Sequence, residues 1–369
     1  MMREWSGQQQ EAIKAVRAWL RDRNGPQVFR LFGYAGSGKT TLAVELTNHV
    51  RGAVLFGAFT GKAALMMRKK GCTDARTIHS LIYRVDENND SWEPKFRLNR
   101  DSEVAGAELV VIDEVSMVNE ELARDLLSFG TKVLVIGDPA QLPPVSGAGY
   151  FINADPDYML TEVHRQARDN PIIRMSMIIR EGGRLERGTY GESRVISRED
   201  LTPEEVMSAS QILVGMNKTR RAYNARMRQL LERPSPLPVE GDKLVCLKND
   251  REKRLLNGGL WTVAKKVKRP AADKVAMHVL PEDAAPETKS TRIVVRREFF
   301  EGGEEDLSYD DMRGLQQFFY GYALTVHKAQ GSQWPDVLVF DESGAFREHR
   351  ANHLYTAVTR AAERVTVVC

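Results

Sequence analysis

The sequence predicts an α/β protein whose parallel sheets carry helices on both faces. Apolar runs with the length and composition of buried strands recur at 28–32, 53–59, 109–113 and 132–137. Segments with apolar residues at helical spacing separate these runs, and this alternation is typical of βαβ units. The length of 369 residues suggests two or three domains, because one domain usually has about 150 residues.

The first predicted elements are a helix around Ile13, Val16 and Leu20, which ends at a turn at 24–26, and strand 28–32. The next ones, in order, are helix 39–50, strand 53–59, helix 61–70, strand 109–113, helix 119–129 and strand 132–137. Between 84 and 100 the pattern is interrupted by a polar, turn-rich segment with short alternating runs on both sides. This predicts a small inserted hairpin.

A second α/β unit begins near Gln211, with strand 212–216 and a basic helix at 218–232. The proline-rich segment 233–238 marks a boundary. A small all-β insertion follows, with strands at 243–247, 260–268, 275–280 and 291–297, and the α/β pattern resumes with strands 318–325, 337–340 and 364–369. The expected domains are residues 1–181, residues 182–238 together with 317–369, and an insertion at 239–316.

The composition predicts a reduced, cytoplasmic protein. Hydrophobic residues make up 42% and charged residues 28%, which argues against global disorder. The mean hydropathy is −0.40, and no run approaches the roughly 18 apolar residues of a membrane-spanning helix. The N-terminus has no apolar signal-peptide segment. The three distant cysteines predict neither a disulfide framework nor a zinc ribbon.

The charge is unevenly distributed, although the net charge is only +3. Residues 248–269 contain eight basic and two acidic residues, and residues 218–233 contain six basic and one acidic. Residues 298–311 contain seven acidic residues and no basic one. Such segregation lets a nearly neutral protein carry a basic groove for nucleic acid, whereas each run by itself is also consistent with a solvated face.

Residues 33–40 follow the pattern G-x-x-x-x-G-K-[ST] between a predicted strand and a predicted helix. Such a loop turns backbone N–H groups toward phosphates, and the helix N-terminus adds partial positive charge. Lys39 is expected to bridge the β- and γ-phosphates of ATP, and the Thr40 hydroxyl to hold Mg²⁺. The residues expected to surround the phosphates are Gly33, Ala35, Gly36, Ser37, Gly38, Lys39, Thr40 and Thr41.

Two further strand ends carry polar side chains. Asp113 and Glu114 point in opposite directions if they lie on a strand, so Asp113 is expected to face the metal. Glu114 is then expected to orient and deprotonate the attacking water, which predicts a hydrolase. Gln141 follows the next strand and is expected to reach the γ-phosphate.

Taken in order, these motifs resemble those of superfamily 1 DNA helicases of the RecD-like and phage Dda-like branch. Segment 5–12 resembles the Q motif, which implies that Gln9 reads adenine, with Gln8 or Gln10 as alternatives. Residues 33–40, 113–114 and 137–145 then correspond to motifs I, II and III. Segment 160–166 resembles the motif whose arginine, Arg165, reaches the γ-phosphate, and 355–361 resembles motif VI, with Arg360 as the arginine finger.

The resemblance also implies a DNA path. Segments 58–64, 77–81 and 322–332 resemble motifs Ia, Ib and V, although Phe59 stands where the family usually has proline. The DNA-contacting residues that it implies are Phe59, Thr60, Gly61, Lys62, Thr77, His79, Thr325, His327 and Lys328. Trp92 or Phe96 in a pin-like hairpin at 85–100 is expected to meet the DNA fork, with a local hydrophobic cluster as the alternative. The basic run 248–269 is expected to border the path.

The implied architecture is two RecA-like P-loop NTPase domains with the hairpin and an SH3-like β insertion at 239–316. The implied function is ATP-dependent, Mg²⁺-requiring 5′-to-3′ movement on single-stranded DNA and unwinding of single-strand/duplex junctions by a monomer. Single-strand-binding, recombination or replication proteins are the implied partners. Two alternatives stay open: the motor subunit of a recombination or repair complex without strong unwinding of its own, and a nucleotide-gated DNA-binding switch.

Overall fold

The computed structural model of this chain describes residues 5–48, 50–85, 96–144, 149–162, 169–233, 235–250, 252–266 and 273–369. The described part contains two six-stranded sheets, one five-stranded sheet and a two-stranded hairpin. Both six-stranded sheets are largely parallel, and the five-stranded sheet is antiparallel. The predicted α/β class with added β elements is therefore confirmed.

The described helices and strands mostly alternate over the first half of the chain, apart from the runs β4–β6 and β7–β8. In order they are α1 (Gly7–Arg21), β1 (Val28–Gly33), α2 (Lys39–Thr47), β2 (Val54–Ala58), α3 (Gly61–Lys69), β3 (Arg76–Thr77), α4 (Ile78–Ile82), β4 (Tyr83–Val85), β5 (Phe96–Leu98), β6 (Leu109–Asp113), α5 (Glu120–Leu127), β7 (Lys132–Gly137), β8 (Tyr158–Leu160) and α6 (Pro171–Arg180).

The second half is richer in strands. Its elements are β9 (Gly188–Tyr190), β10 (Ser193–Ile196), α7 (Pro203–Ser208), β11 (Gln211–Val214), α8 (Asn217–Leu230), β12 (Lys243–Cys246), β13 (Leu260–Lys266), β14 (Lys274–Pro281), β15 (Thr291–Arg296), α9 (Glu298–Glu301), α10 (Tyr309–Met312), β16 (Phe318–Tyr320), β17 (Ala323–Thr325), α11 (Val326–Ala329), β18 (Trp334–Phe340), α12 (Arg350–Val358) and β19 (Ala361–Val368).

The first sheet has the strand order β3-β2-β6-β7-β1-β8, and every pair is parallel. Strand β6 lies inside it, and all five of its residues are buried. Its side chains alternate between the two faces: Val111 packs into a core with α1, α2 and α3, whereas Val110 and Ile112 pack with α4 and α5. Helices cover both faces, as a parallel sheet requires.

Several helices of the described ranges, α1, α3, α5 and α6 among them, begin at a side-chain hydrogen bond to the backbone. Helix α1 starts with a capping box, in which the Ser6 hydroxyl accepts from the Gln9 N–H and the Gln9 side chain accepts from the Ser6 N–H. Its buried face carries Ile13, Val16 and Trp19. None of the described helices is long and apolar enough to cross a lipid bilayer.

The second sheet has the order β17-β11-β18-β19-β10-β9, with only the β10–β9 pair antiparallel. Helix α6 precedes residue 181, the predicted domain boundary. Its buried Ile172, Met175 and Ile179 nevertheless pack into the core beneath this second sheet, together with residues of α12. The domain boundaries themselves stay predictions.

The five-stranded sheet, with the order β15-β14-β13-β12-β16, occupies the position of the predicted β insertion. The prediction of one strand over 318–325 is wrong: β16 pairs with β12 of this sheet, and β17 pairs with β11 of the second parallel sheet. The chain changes sheets at Gly321, where an added Cβ would lie only 2.8 Å from the Leu244 carbonyl carbon. The close approach of two backbones therefore requires glycine there.

The predicted inserted hairpin has an antiparallel stem formed by β4 and β5. Its tip, residues 86–95, lies outside the described residues, and Trp92 with it. Phe96 begins β5 and is 64% exposed, so it does not belong to a hydrophobic cluster of the described residues.

Candidate functional site

Three neighbouring strands bring the predicted phosphate-binding residues together. Strands β6, β7 and β1 are adjacent and parallel, so their carboxyl ends lie at one edge of the first sheet. The glycine-rich loop follows β1, Asp113 ends β6, and Asp138 follows β7. This edge is where ligands bind in open α/β sheets.

The loop after β1 requires glycine for its backbone conformation. Gly36 and Gly38 have φ angles of +79° and +78°, in the left-handed region. The Lys39 ammonium donates to the Tyr34 carbonyl at 2.9 Å and lies 3.8 Å from an Asp138 carboxylate oxygen. Lys39 therefore spans the loop whose N–H groups are expected to surround the phosphates.

Thr40 and Asp113 form a pair of oxygen ligands at the same edge. The Thr40 hydroxyl donates to the Asp113 carboxylate at 2.8 Å, and the other Asp113 oxygen accepts the Glu114 N–H at 2.8 Å. Asp113 is buried. A hydroxyl beside a buried carboxylate is a donor set that suits Mg²⁺, because this ion prefers oxygen ligands.

Glu114 has the backbone conformation of few non-glycine residues. Its φ of 56° lies in the left-handed region, a strained arrangement often found at functional sites. Burial raises the pKa of its carboxyl group, while the Arg360 guanidinium opposes that shift. No hydrogen bond of this carboxylate occurs within the described ranges. It is therefore suited to accept a proton from water.

The second parallel sheet supplies the opposite wall of this site. A cavity of about 300 Å³ lies between the two halves. Its lining includes Lys39, Thr40, Asp113, Glu114 and Gln141 from the first half and Gly331, Ser332, Gln333, Thr359 and Arg360 from the second. Gln141 has a buried side-chain oxygen without a hydrogen-bond partner in the described part of the chain.

Arg360 is buried at the end of the second half's wall. Its guanidinium donates to the Thr356 and Ser332 carbonyls at 3.1 and 3.3 Å and to the Thr359 hydroxyl at 3.3 Å. These bonds orient its planar group along the cavity that also contains Lys39. A cation supplied from the second domain is thereby brought to the phosphate loop.

Tyr355 is a residue that sequence reasoning did not assign to the site. Its side chain is 1% exposed, its hydroxyl donates to Asp138 at 2.8 Å, and it accepts the Ala35 N–H at 2.8 Å. Burial raises the pKa of this phenol. Tyr355 thus connects the phosphate loop and the loop after β7 to the second half. Its position in the motif VI-like segment was the only available signal.

The loop after β7 is held by the second half at further points. The Asn352 amide donates to the Ala140 and Gln141 carbonyls at 3.1 and 3.2 Å. The Thr356 hydroxyl accepts the Leu142 N–H at 2.7 Å, and the Leu142 side chain packs into the core of the second half. A segment that begins in the first sheet is therefore anchored in the other domain.

Comparisons with known proteins agree with this geometry. Residues 4–198, more than half of the chain, match the family model described as an AAA domain. The chain belongs to the AAA domain family. A second model, the UvrD-like helicase C-terminal domain, matches residues 320–368, which include Arg360.

Relatives of this AAA-domain chain include the ATP-dependent RecD2 DNA helicase of Deinococcus radiodurans. The two are 30% identical over 92% of this chain and 46% of the relative, so the chain spans about half of that protein's length. The ATP-dependent DNA helicase Pif1 of Bdellovibrio bacteriovorus is 24% identical over 85% of this chain and 78% of the relative. These matches confirm the predicted membership in the RecD-like branch of superfamily 1.

The solved structure of Bacteroides Pif1 bound to ssDNA has a similar fold. The TM-score is 0.59, with 18% identity, and the similarity covers 99% of this chain and 92% of that chain. It confirms the fold of two RecA-like domains with additional β elements.

In this RecD/Pif1-like chain, Gln9 occupies a buried position beside the phosphate loop. Its amide nitrogen donates to the Ser37 carbonyl at 3.0 Å, and its oxygen accepts the Ser6 N–H. Gln8 instead bonds to Met159 in β8 and to Thr161 and Glu162, which follow that strand. Of the three candidates, Gln9 contacts the loop directly, and adenine recognition by it stays a prediction.

Three threonines of the predicted DNA path share one structural role. Thr60, Thr77 and Thr325 are the N-caps of α3, α4 and α11, and each hydroxyl accepts a backbone N–H of the helix that follows. Each helix follows a parallel strand, so these N-termini lie at carboxyl ends of strands. Helix N-termini are favourable positions for phosphate groups.

Predicted DNA-contacting aromatic residues form pairs at the same edges. Phe59 packs edge-on to His79, with ring centroids 6.1 Å apart, and His327 lies 5.8 Å from the Phe346 ring. Burial lowers the pKa of both histidines. Neutral rings beside the strand ends are suited to stacking with bases.

The predicted lysines lie where the halves and the β insertion meet. The Lys62 ammonium is 4.8 Å from the centre of the Trp334 ring, and burial lowers its pKa. Lys328 donates to Asn257 of the β insertion. Gly61 lies so close to Leu256 that an added Cβ would be 3.0 Å from it. Arg165 lies outside the described residues, so its predicted contact with the γ-phosphate stays a prediction.

Proposed function

We propose that this chain is an ATP-dependent DNA helicase that moves 5′-to-3′ along single-stranded DNA and unwinds duplex DNA. The observation that carries the proposal is the shared cavity: the phosphate loop, Asp113 and Glu114 of one domain face Arg360 of the other. ATP hydrolysis in such a cleft depends on the distance between the two domains, because Arg360 and the phosphate loop must contact the same nucleotide. The printed names of its RecD2 and Pif1 relatives support the same activity.

Each residue of the cleft has a role in ATP hydrolysis. The loop N–H groups and Lys39 bind the β- and γ-phosphates, and Gln141 senses the γ-phosphate. Glu114 takes the proton of the attacking water, and Arg360 stabilises charge on the transferring phosphoryl group. Mg²⁺, held by Thr40 and Asp113, would neutralise phosphate charge when bound.

DNA movement follows from the coupling of the cleft to the second domain. Tyr355 and Asn352 hydrogen-bond to the loop after β7. When the cleft opens, either these hydrogen bonds break or the loop moves together with the second domain. The DNA path runs past the N-termini capped by Thr60, Thr77 and Thr325. Domain closure on ATP and opening after hydrolysis would shift these N-termini relative to one another along the strand.

The β insertion contributes a basic wall to the path. A cleft of about 760 Å³ separates α3 from the five-stranded sheet. Basic residues outnumber acidic ones in its lining, which includes Lys62, Lys69, Lys253, Arg254, Lys289 and Arg292 as well as Glu252, Glu282 and Asp283. Contacts between such basic residues and DNA phosphates do not depend on the DNA sequence. An enzyme that moves along DNA requires this, because it meets every sequence in turn. Phe96 of the hairpin is exposed, which supports the proposal that it stacks at the fork.

Strand displacement tests the proposal. We expect ATP-dependent unwinding of a duplex with a 5′ single-stranded tail and none with a 3′ tail, while Lys39→Ala abolishes it. Unwinding only from a 3′ tail would overturn the polarity. DNA-stimulated ATPase without displacement would favour the translocase alternative, and DNA binding without turnover would favour the nucleotide-gated switch. Monomeric action, protein partners and a cytoplasmic location stay predictions.

A further inference from the structure

A cavity of about 840 Å³ lies between α8 and the edge of the five-stranded sheet, and it shares no lining residue with the nucleotide cleft. Helix α8, the short helix α9 and strand β16 supply most of its walls. Its apolar part is formed by the aromatic side chains Phe299, Phe300, Phe319 and Tyr320. Both its volume and its apolar lining are those of a ligand site.

The cavity is also lined by arginines, and three of them have carboxylate partners. Arg228 and Arg233 both bond to the fully buried Asp242, at 3.3 and 2.7 Å. Arg221 pairs with Glu304 at 2.5 Å. Each of these three side chains therefore has a carboxylate within ion-pair distance, although Arg228 and Arg233 share one.

The fourth arginine, Arg220, differs from them. It is 8% exposed, its Nε donates to Asn217 at 3.2 Å, and its guanidinium lies over the Phe319 ring at 4.6 Å. Across the described ranges no carboxylate forms an ion pair with it, and its two terminal nitrogens donate no hydrogen bond. Buried charges are normally paired, because an unpaired one is costly. Arg220 is thus a largely buried cation in the cavity wall that makes no ion pair among the described residues, although the Glu304 carboxylate acts on its pKa through space.

We propose that this cavity binds a peptide segment of a partner protein, whose carboxylate pairs with Arg220 and whose neighbouring aromatic side chain packs against the aromatic wall. The flat guanidinium can bond both oxygens of a carboxylate. The rim carries Glu232, Glu301 and Glu304. Glu304 is paired with Arg221 and Glu301 with Arg297, which leaves Glu232 as the acid in this lining without an ion pair among the described residues. Its charge would repel the successive phosphates of a nucleic acid, whereas a single carboxylate can reach Arg220. The site is independent of the nucleotide cleft.

Fluorescence anisotropy with the full chain tests this site. The probe is a short fluorescein-labelled peptide with an amidated C-terminus, in which one aspartate precedes two phenylalanines. We expect saturable binding that Arg220→Gln weakens about tenfold, equivalent to about 1.4 kcal/mol. Ala225→Trp, at an exposed rim position, fills the cavity and weakens binding as well. Arg226→Gln, which is exposed on the same helix outside the cavity, leaves binding unchanged.

Thermal melting checks that each variant is folded, and Ala225→Trp keeps the test decisive if Arg220→Gln does not fold. The proposal is overturned if the wild-type chain shows no saturable binding. It is also overturned if a peptide with asparagine instead of aspartate binds equally well, or if folded Arg220→Gln binds as tightly as wild type. Displacement of the peptide by a single-stranded oligonucleotide, together with weaker DNA binding by Arg220→Gln, would assign the cavity to nucleic acid instead.

Discussion

Replacing Tyr355 with phenylalanine removes one hydroxyl from the contact between the two domains. In the structure this hydroxyl donates to Asp138 and accepts the Ala35 N–H, both at 2.8 Å. The ring of phenylalanine fills nearly the same space, so the core of the second domain should remain packed. The change therefore isolates the polar contact from the packing.

The expected effect follows from the two groups that lose a partner. Leaving a buried polar group without its hydrogen bond costs about 1–3 kcal/mol. The Asp138 carboxylate still accepts the Ala140 N–H at 3.0 Å and still has the Lys39 ammonium nearby. The free-energy cost of removing its bond to Tyr355 therefore lies at the lower end of this range. Together the losses destabilise the closed cleft by about 2–4 kcal/mol, which corresponds to roughly a 30- to 1,000-fold smaller ratio of closed to open cleft.

Steady-state ATP hydrolysis with saturating single-stranded DNA measures this effect. We expect kcat/KM for ATP to fall at least tenfold, because hydrolysis requires Arg360 and the phosphate loop in one cavity. DNA affinity and the melting temperature should change little. Tyr190→Phe is the matched control, since among the described residues that hydroxyl bonds to the backbone of Glu186 alone, on the surface. If a folded Tyr355→Phe variant hydrolyses ATP with kcat/KM within about twofold of wild type, the coupling role of this contact is refuted.

Three further changes test other parts of the molecule. Glu114→Gln should reduce kcat for ATP hydrolysis at least about a hundredfold with DNA binding retained, because the amide cannot accept the proton from water; normal turnover would refute this role. Lys253→Glu combined with Arg254→Glu should weaken DNA binding and reduce its salt dependence, measured by anisotropy at several salt concentrations. An unchanged salt slope would exclude this wall from the DNA path. Gly321→Val should lower the melting temperature by several degrees, because its side chain would collide with the Leu244 backbone; an unchanged melting curve would contradict the close approach.

Much of the nucleotide site can be predicted from the sequence because its parts are local. The phosphate loop is one strand, one turn and one helix N-terminus, and its chemistry is encoded in eight consecutive residues. Asp113 and Glu114 are recognisable because Asp113 ends an apolar strand and Glu114 follows it directly, and parallel strands bring their carboxyl ends to one edge. The two parallel sheets follow from the alternation of apolar runs and helical segments.

The contacts between the domains were decided only by the tertiary structure. Tyr355 and Ala35 are 320 positions apart, and neither residue type signals the other. The unpaired state of Arg220 is equally hidden, because the sequence shows a basic helix but not which arginines meet carboxylates. The division of 318–325 between two sheets was missed because both short strands are apolar and periodicity cannot separate them. The local sequence pattern therefore determines the helices and strands and the chemistry of the phosphate loop. Which side chains are buried, and which charged groups pair, depends on which distant segments pack together.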